Sequence, residues 1–245
     1  MRYSGTDSPI LSINYDALIK SRIMYYQITF TLDKRIRGRY EMPHTVKIKS
    51  KDFLDYMSEK NRNISMYFEN KHDIYINMPN EIEGQIIKRK DYVDFMDFSP
   101  ACLSLKAVVS AKVKNVLEQI HVRKSEYILK RIKIDGIASD FYLLFVPIIK
   151  DTEFVYPKCE FIDIYNEKCK VFQNRKEFYN DNDIYFPKRI TLTPKYRNQD
   201  LLYPQGSDVF FSKRVLDAFA DEKIVDYDII KGGCFYCTVE TTDEI

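Results

Sequence analysis

Hydrophobic and β-branched residues crowd the stretch Ile23 to Leu32, where Met24, Tyr25, Tyr26, Ile28, Phe30 and Leu32 are interleaved with Thr29 and Thr31. The near-alternation predicts a strand. Before it, the chain is polar with weak periodicity up to about Ser21 and is expected to wrap the surface. After it comes a basic connection, Lys34 to Arg39, containing Gly38. Val46 and Ile48 predict a second strand, and Ser50 followed by Phe53, Leu54 and Met57 predicts a short capped helix. Ile64, Met66 and Phe68, then Ile74, Ile76 and Met78, alternate on either side of Glu69–Asp73, which reads as a hairpin. Pro79 to Gly84 is punctuation. A boundary near residue 95 would divide the chain into an N-terminal α+β lobe, 1–95, and a second α+β domain, 96–245.

The second part contains an echo. Val108-Val109-Ser110-Ala111-Lys112-Val113 and Phe210-Phe211-Ser212-Lys213-Arg214-Val215 share an apolar pair, a serine, a basic residue two on and Val three on, with apolar residues six and seven on. A buried strand entering a helix has this pattern, with Ser110 and Ser212 as helix caps whose oxygens accept from first-turn N–H groups. Helix 110–120 is followed by strands 126–134 and 141–149 around Asp135-Gly136. Helix 212–220 is followed by strands 225–230 and 235–239 around Gly232-Gly233. A helix-strand-strand unit therefore occurs twice, separated by a polar, Tyr- and Asn-rich stretch, 151–204, with short strands at 160–165 and 189–192. The fold class expected is α+β, with mixed or antiparallel sheets and short flanking helices.

Composition narrows the function classes. The 245 residues are 45% hydrophobic and 30% charged, and 38 basic against 36 acidic residues leave a formal net charge of +2, so no global attraction to nucleic acid is built in. Charge is distributed unevenly: residues 101–150 carry nine basic and four acidic side chains, and residues 205–245 four and nine. The longest apolar run, Phe141 to Ile149, contains Pro147 and is about half the length a membrane span requires. No membrane association, a cytoplasmic location and free thiols are expected from this and from the five scattered cysteines.

Motifs for chemistry are sparse. Seven glycines include only one close pair, Gly232-Gly233, before a strand pattern, which does not make a phosphate-cradling loop. His44, His72 and His121 lie in separate segments without a partner four residues on, and Cys234-Phe235-Tyr236-Cys237 lacks a second short-spaced pair, so no metal site is expected. Ser110 and Ser212 lack the surround of a catalytic serine. The basic residues Arg123, Lys124, Lys130, Arg131 and Lys133 would alternate between the two faces of a strand, whereas a nucleic-acid track needs them on one. No catalytic residue and no cofactor are assigned.

The order of the echo, with Val109-Ser110, Val113 and Leu117, then Phe141-Tyr142-Leu143-Leu144, then Val209-Phe210-Phe211-Ser212, Val215, Leu216, Phe219 and Tyr227, resembles a family of immunity proteins of bacterial polymorphic toxin systems. That family was first catalogued as a domain of unknown function and is found in Myxococcus. The resemblance covers about residues 92–232, and the hydrophilic stretch 151–204 departs from it. It implies a protein that binds and neutralises a cognate toxin by occlusion, without catalysis; the charge pattern, separately, leads to no nucleic-acid partner being expected. Aromatic and acidic residues interleave in the segment 177–186, so Phe178, Tyr179, Asp181, Asp183 and Tyr185 are the expected toxin contacts, the acids facing a basic cleft. Two other classes stay open: an enzyme with a carboxylate site outside known motifs, and a nucleic-acid-binding module.

Overall fold

The computed structural model describes residues 23–30, 44–87, 93–233 and 236–243. The expected surface wrap before Ser21, the basic connection 34–39 and Cys234 lie outside them. The chain is α+β, with mixed and antiparallel sheets flanked by short helices.

Strand β1 is Tyr25–Phe30 and β2 is Thr45–Ile48, followed by helices α1, Lys51–Lys60, and α2, Ile64–Ile74. The hairpin expected over 64–78 is therefore corrected to a helix. Ile64, Tyr67, Phe68 and Ile74 follow a three-to-four spacing, Tyr67 and Ile74 are buried, and the Asn63 side chain caps the first turn by accepting from Met66 N at 3.0 Å. The alternation of Ile64, Met66 and Phe68 leaves out Tyr67, whose buried ring holds the helix down.

Strands β3 (Glu83–Ile86), β4 (Phe95–Ser99), β5 (Leu105–Ser110), β6 (Ile128–Ile134) and β7 (Phe141–Phe145) close with β2 into a barrel in the order β2-β3-β6-β7-β5-β4. The barrel joins strands from both sides of residue 95, so the boundary expected there does not separate two lobes. Val46, Ile48, Val108, Ile132, Leu143 and Phe145 share one core with Phe53 and Met57 of α1 and with Tyr67 and Ile74 of α2. Gly84 is required inside it. A Cβ there would lie 2.7 Å from Val46 Cγ1 and 2.9 Å from Ile132 Cδ1.

The echo is a real structural repeat, with one correction. Helix α3 (Ala111–Gln119) follows β5, and helix α5 (Lys213–Asp221) follows β12 (Phe210–Ser212). In the first copy the strands lie in the order β4-β5-β7-β6. In the second the order is β11 (Leu201–Leu202), β12, β1, β13 (Tyr227–Ile229). The registers agree: Phe95 and Met96 face Val109 and Val108, as Leu201 and Leu202 face Phe211 and Phe210; Phe141 faces Ser110, as Tyr25 faces Ser212. The place of β7 in the second copy is filled by β1 from the start of the chain. The strand expected after Gly233, here β14 (Thr238–Thr241), pairs in parallel with β10 (Tyr185–Leu192) instead of closing a hairpin with β13.

The two helices meet through equivalent residues. Lys112 donates to the carbonyl of Lys223 at 3.0 Å, and Arg214, its counterpart, donates to the carbonyl of Ile120 at 2.5 Å. Each cation thus satisfies an orphan carbonyl at the C-terminal end of the other helix, where the dipole favours positive charge. Both helices end on a residue of positive φ, His121 at 56° and Lys223 at 53°, followed by Val122 or Ile224, whose N–H closes the turn onto Leu117 or Phe219. Lys106 and Asp208, also equivalent positions, form an ion pair at 2.8 Å. Such reciprocity is what an approximate two-fold axis imposes. Val109, Val113, Leu117 and Val122 accordingly share a central core with Phe211, Val215, Phe219 and Ile224.

Each copy's second face is covered differently. Val108 and Met96 turn into the barrel, whereas their counterparts Phe210 and Leu202 turn into a third core beneath a sheet in which β14 and β10 are followed by β8 (Glu160–Asp163) and β9 (Cys169–Lys170).

Candidate functional site

The third core belongs to the stretch that looked polar in sequence. Its strands are β8 (Glu160–Asp163), β9 (Cys169–Lys170) and β10 (Tyr185–Leu192), with the short helix α4 (Arg175–Asn180) between β9 and β10. Tyr156, Phe161, Phe172, Phe178 and Tyr185 pack ring against ring. Phe178 lies 4.7 Å from Phe161 and 5.2 Å from Phe172 between centroids. Helix α4 starts where Asn174 accepts from Glu177 N at 3.0 Å while Glu177 reaches back to accept from Gln173 N at 2.7 Å.

The five expected contact residues are neighbours, but they do not act alike. Phe178 is half-buried and packs against the rings of Phe161, Phe172 and Tyr156. Tyr185 is half-buried, and its hydroxyl donates to Asp181 Oδ1 at 3.2 Å. Asp181 is ion-paired with Lys170, whose ammonium holds the Asp181 carboxyl below the usual carboxylate range. Its charge is paired within the module. Asp183 is exposed, and Tyr179 is 53% exposed.

What sequence reading missed is the apolar surface beside them. Among the described residues, five of the nine large hydrophobic side chains left exposed fall in this module: Ile164, Tyr165, Val171, Tyr179 and Ile184. Ile164 and Ile184 are bridged by a backbone hydrogen bond of 3.1 Å. Tyr165, 73% exposed, sits on a turn fixed by Asp163, whose carboxylate accepts from Tyr165 N at 2.8 Å and Asn166 Nδ2 at 2.6 Å. The signal in the sequence was Asp163 itself, two residues before a solvent-facing aromatic.

Buried carboxylates form the other polar features. Asp151, 4% exposed, accepts on Oδ2 from Tyr179 OH (2.7 Å), Arg175 Nε (2.9 Å) and Tyr156 OH (3.3 Å), and its Oδ1 is buried without a hydrogen bond. Asp200 accepts from Ser212 Oγ at 2.7 Å and from Arg214. Asp94 accepts from Ser110 Oγ at 2.6 Å. Both serines also donate their backbone N–H to the carbonyl of that same aspartate. Asp94-Phe95-Met96 and Asp200-Leu201-Leu202 are thus a further legible part of the echo. Of the two serines, only Ser212 caps with its side chain, accepting from Val215 N at 3.3 Å; Ser110 stands at the N-cap without that bond, which corrects its expected role. Glu126, 3% exposed, accepts on Oε2 from Asp200 N at 2.6 Å and Leu201 N at 3.0 Å, and burial pushes its carboxyl above the usual range.

The basic set expected on strand faces is largely paired locally. Lys124 bonds Glu118, Arg131 bonds Asp140 and Lys130 bonds Asn80. Among the described residues no three His, Cys, Asp or Glu side chains are placed to hold a metal ion, and no helix is long and apolar enough to cross a membrane. Cys237 is buried, and its thiol is pushed up to about 12. No protein-family model matches the chain, and no curated protein matches it significantly.

Proposed function

We propose that this protein is a non-catalytic immunity protein that binds a cognate bacterial toxin and neutralises it by covering the toxin's active surface. The observation that carries the reading is the concentration of exposed aromatic and aliphatic side chains, Ile164, Tyr165, Val171, Tyr179 and Ile184, on the module that also carries the expected contact residues. Large apolar groups held in fixed positions are the anchors of protein interfaces, because ordering them on binding costs little further entropy. Asp183, exposed beside Ile184, supplies rim charge. The proposed contact set keeps Tyr179 and Asp183 of the five expected residues and adds Ile164, Tyr165, Val171 and Ile184.

The test is neutralisation of the toxin module encoded beside this chain. Co-expression is expected to protect cells, and Tyr165→Ala with Ile184→Asp is expected to abolish protection while leaving the circular dichroism unchanged. Loss of one central anchor typically costs about 2 kcal/mol or more, roughly thirtyfold in affinity. A fully protective double variant would place the contact elsewhere, and failure of the unaltered chain to bind that module would end the reading.

One observation favours a second reading, an enzyme using a carboxylate. Glu126, with its raised pKa, lines a cavity of about 330 Å³ together with Lys71, His72 and Tyr196. Turnover of a small molecule that disappears in Glu126→Gln would decide for it.

A further inference from the structure

A second cavity, of about 500 Å³, opens where α2 faces α4, lined by Phe68, Lys150, Arg175, Tyr179 and Gln205 among others. We infer that it is a binding site for a small oxyanion, a carboxylate or a phosphate, held by the guanidinium of Arg175 and the ammonium of Lys150. This inference does not depend on the toxin reading.

A buried carboxylate oxygen left without a hydrogen bond costs on the order of 1–3 kcal/mol, and Asp151 Oδ1 is such an atom, while three donors converge on Oδ2. That arrangement is poor for stability but effective for positioning. It draws Arg175 by Nε alone and fixes the Tyr179 hydroxyl, and the guanidinium lies over the Tyr179 ring with 4.7 Å from Cζ to the centroid. Anchored through Nε and stacked on a ring, the guanidinium keeps both terminal nitrogens without a carboxylate partner among the described residues. This fork is the geometry that matches two oxygens of a planar or tetrahedral anion.

The surroundings extend the same chemistry. Lys150 rests over the Phe68 ring at 5.4 Å and forms no ion pair among the described residues. Gln205 accepts from Asp151 N through Oε1 at 3.3 Å, which leaves its amide N–H₂ as a further donor on the cavity wall. Glu69 is the acidic residue of the lining, and it is exposed. The cavity therefore offers an anion two cationic side chains and an amide donor beside an aromatic ring, against one exposed carboxylate.

Titration at constant ionic strength, with amide and Arg Nε resonances read by nuclear magnetic resonance, tests this with two probes: inorganic phosphate and N-acetylglutamate. Saturable shifts centred on Arg175, Lys150 and Gln205 with either probe are expected, and the tighter probe identifies which oxyanion the site prefers. Lys150→Gln and Arg175→Gln should each weaken binding about tenfold or more, the loss expected of one charge-assisted hydrogen bond, and Arg175→Lys should not restore it, because an ammonium lacks the fork. The Lys150 side chain makes no hydrogen bond or ion pair among the described residues, so its variant tests the site without removing a polar contact of the fold. Shifts that never saturate with either probe, or binding equal in Lys150→Gln and the unaltered chain, would overturn the inference.

Discussion

Glu126 shows how one residue can hold a fold together and still weaken it. Its Oε2 accepts two backbone N–H groups at the start of β11, which would otherwise be buried donors without partners. Its charge, however, is removed from water and lies near that of Asp200, and burial followed by this repulsion outweighs the bonds, so its folded-state pKa stands above the ordinary value of 4.5. The sign follows from proton counting. Between 4.5 and the raised value the folded chain binds more protons than the unfolded one, so stability falls as pH rises through that window. Glu126→Gln retains an acceptor for Asp200 N and Leu201 N and cannot ionise. Melting temperatures of the two proteins are expected to converge below pH 4 and to separate above it, the variant becoming the more stable. A Glu126→Gln protein that is less stable at pH 7 than at pH 4, relative to the unaltered chain, would show that the charge is favourable after all.

At the scale of elements, the strand-serine-helix junction was the most legible part of the sequence, since it is short, local and written twice. The serine's work was less legible, because its partners are distant in sequence. Ser212 accepts from Val215 N and donates to buried Asp200, whereas Ser110 only donates, to a more accessible Asp94. Ser212→Ala should therefore cost about 2 kcal/mol and Ser110→Ala about 1 kcal/mol, read as shifts in urea midpoint at unchanged slope. Equal costs would mean that the cap bond contributes nothing. The same distinction explains the other misreadings. Helix α2 was hidden because Tyr67, a polar-looking residue, is its buried anchor. The pairing of β13 with β1 was hidden because nothing local marks a strand near residue 25 as the neighbour of one near residue 228. In the 151–204 stretch, charged residues outnumber the few rings that form its core, so average polarity concealed it.

For the whole molecule, the question is whether two copies of one sheet-and-helix unit behave as two parts or one. Three features tie them: the crossed helix-end bonds of Lys112 and Arg214, the Lys106–Asp208 pair, and a central core to which both contribute. Surface and half-exposed ion pairs are weak, about 1 kcal/mol or less, so the core must do most of the coupling. Phe219 is its sharpest probe. It is fully buried in the second copy, and its ring lies 5.6 Å from Phe95 of the first and 6.1 Å from Phe211 of its own. Truncation to alanine removes contacts on both sides of the approximate axis at an expected cost of about 3–5 kcal/mol. If the copies form one cooperative unit, hydrogen exchange of β5 and β12 amides should accelerate by the same free energy in Phe219→Ala. Acceleration confined to β12, with β5 still protected as before, would mean that the barrel is an independent unit on which the second copy and the aromatic module are carried. The first outcome is the one the geometry favours, because β1 lies across the second copy while Lys106 of the first bonds the carbonyl of Ile28 within it at 3.1 Å. Opening either sheet therefore breaks a bond that belongs to the other.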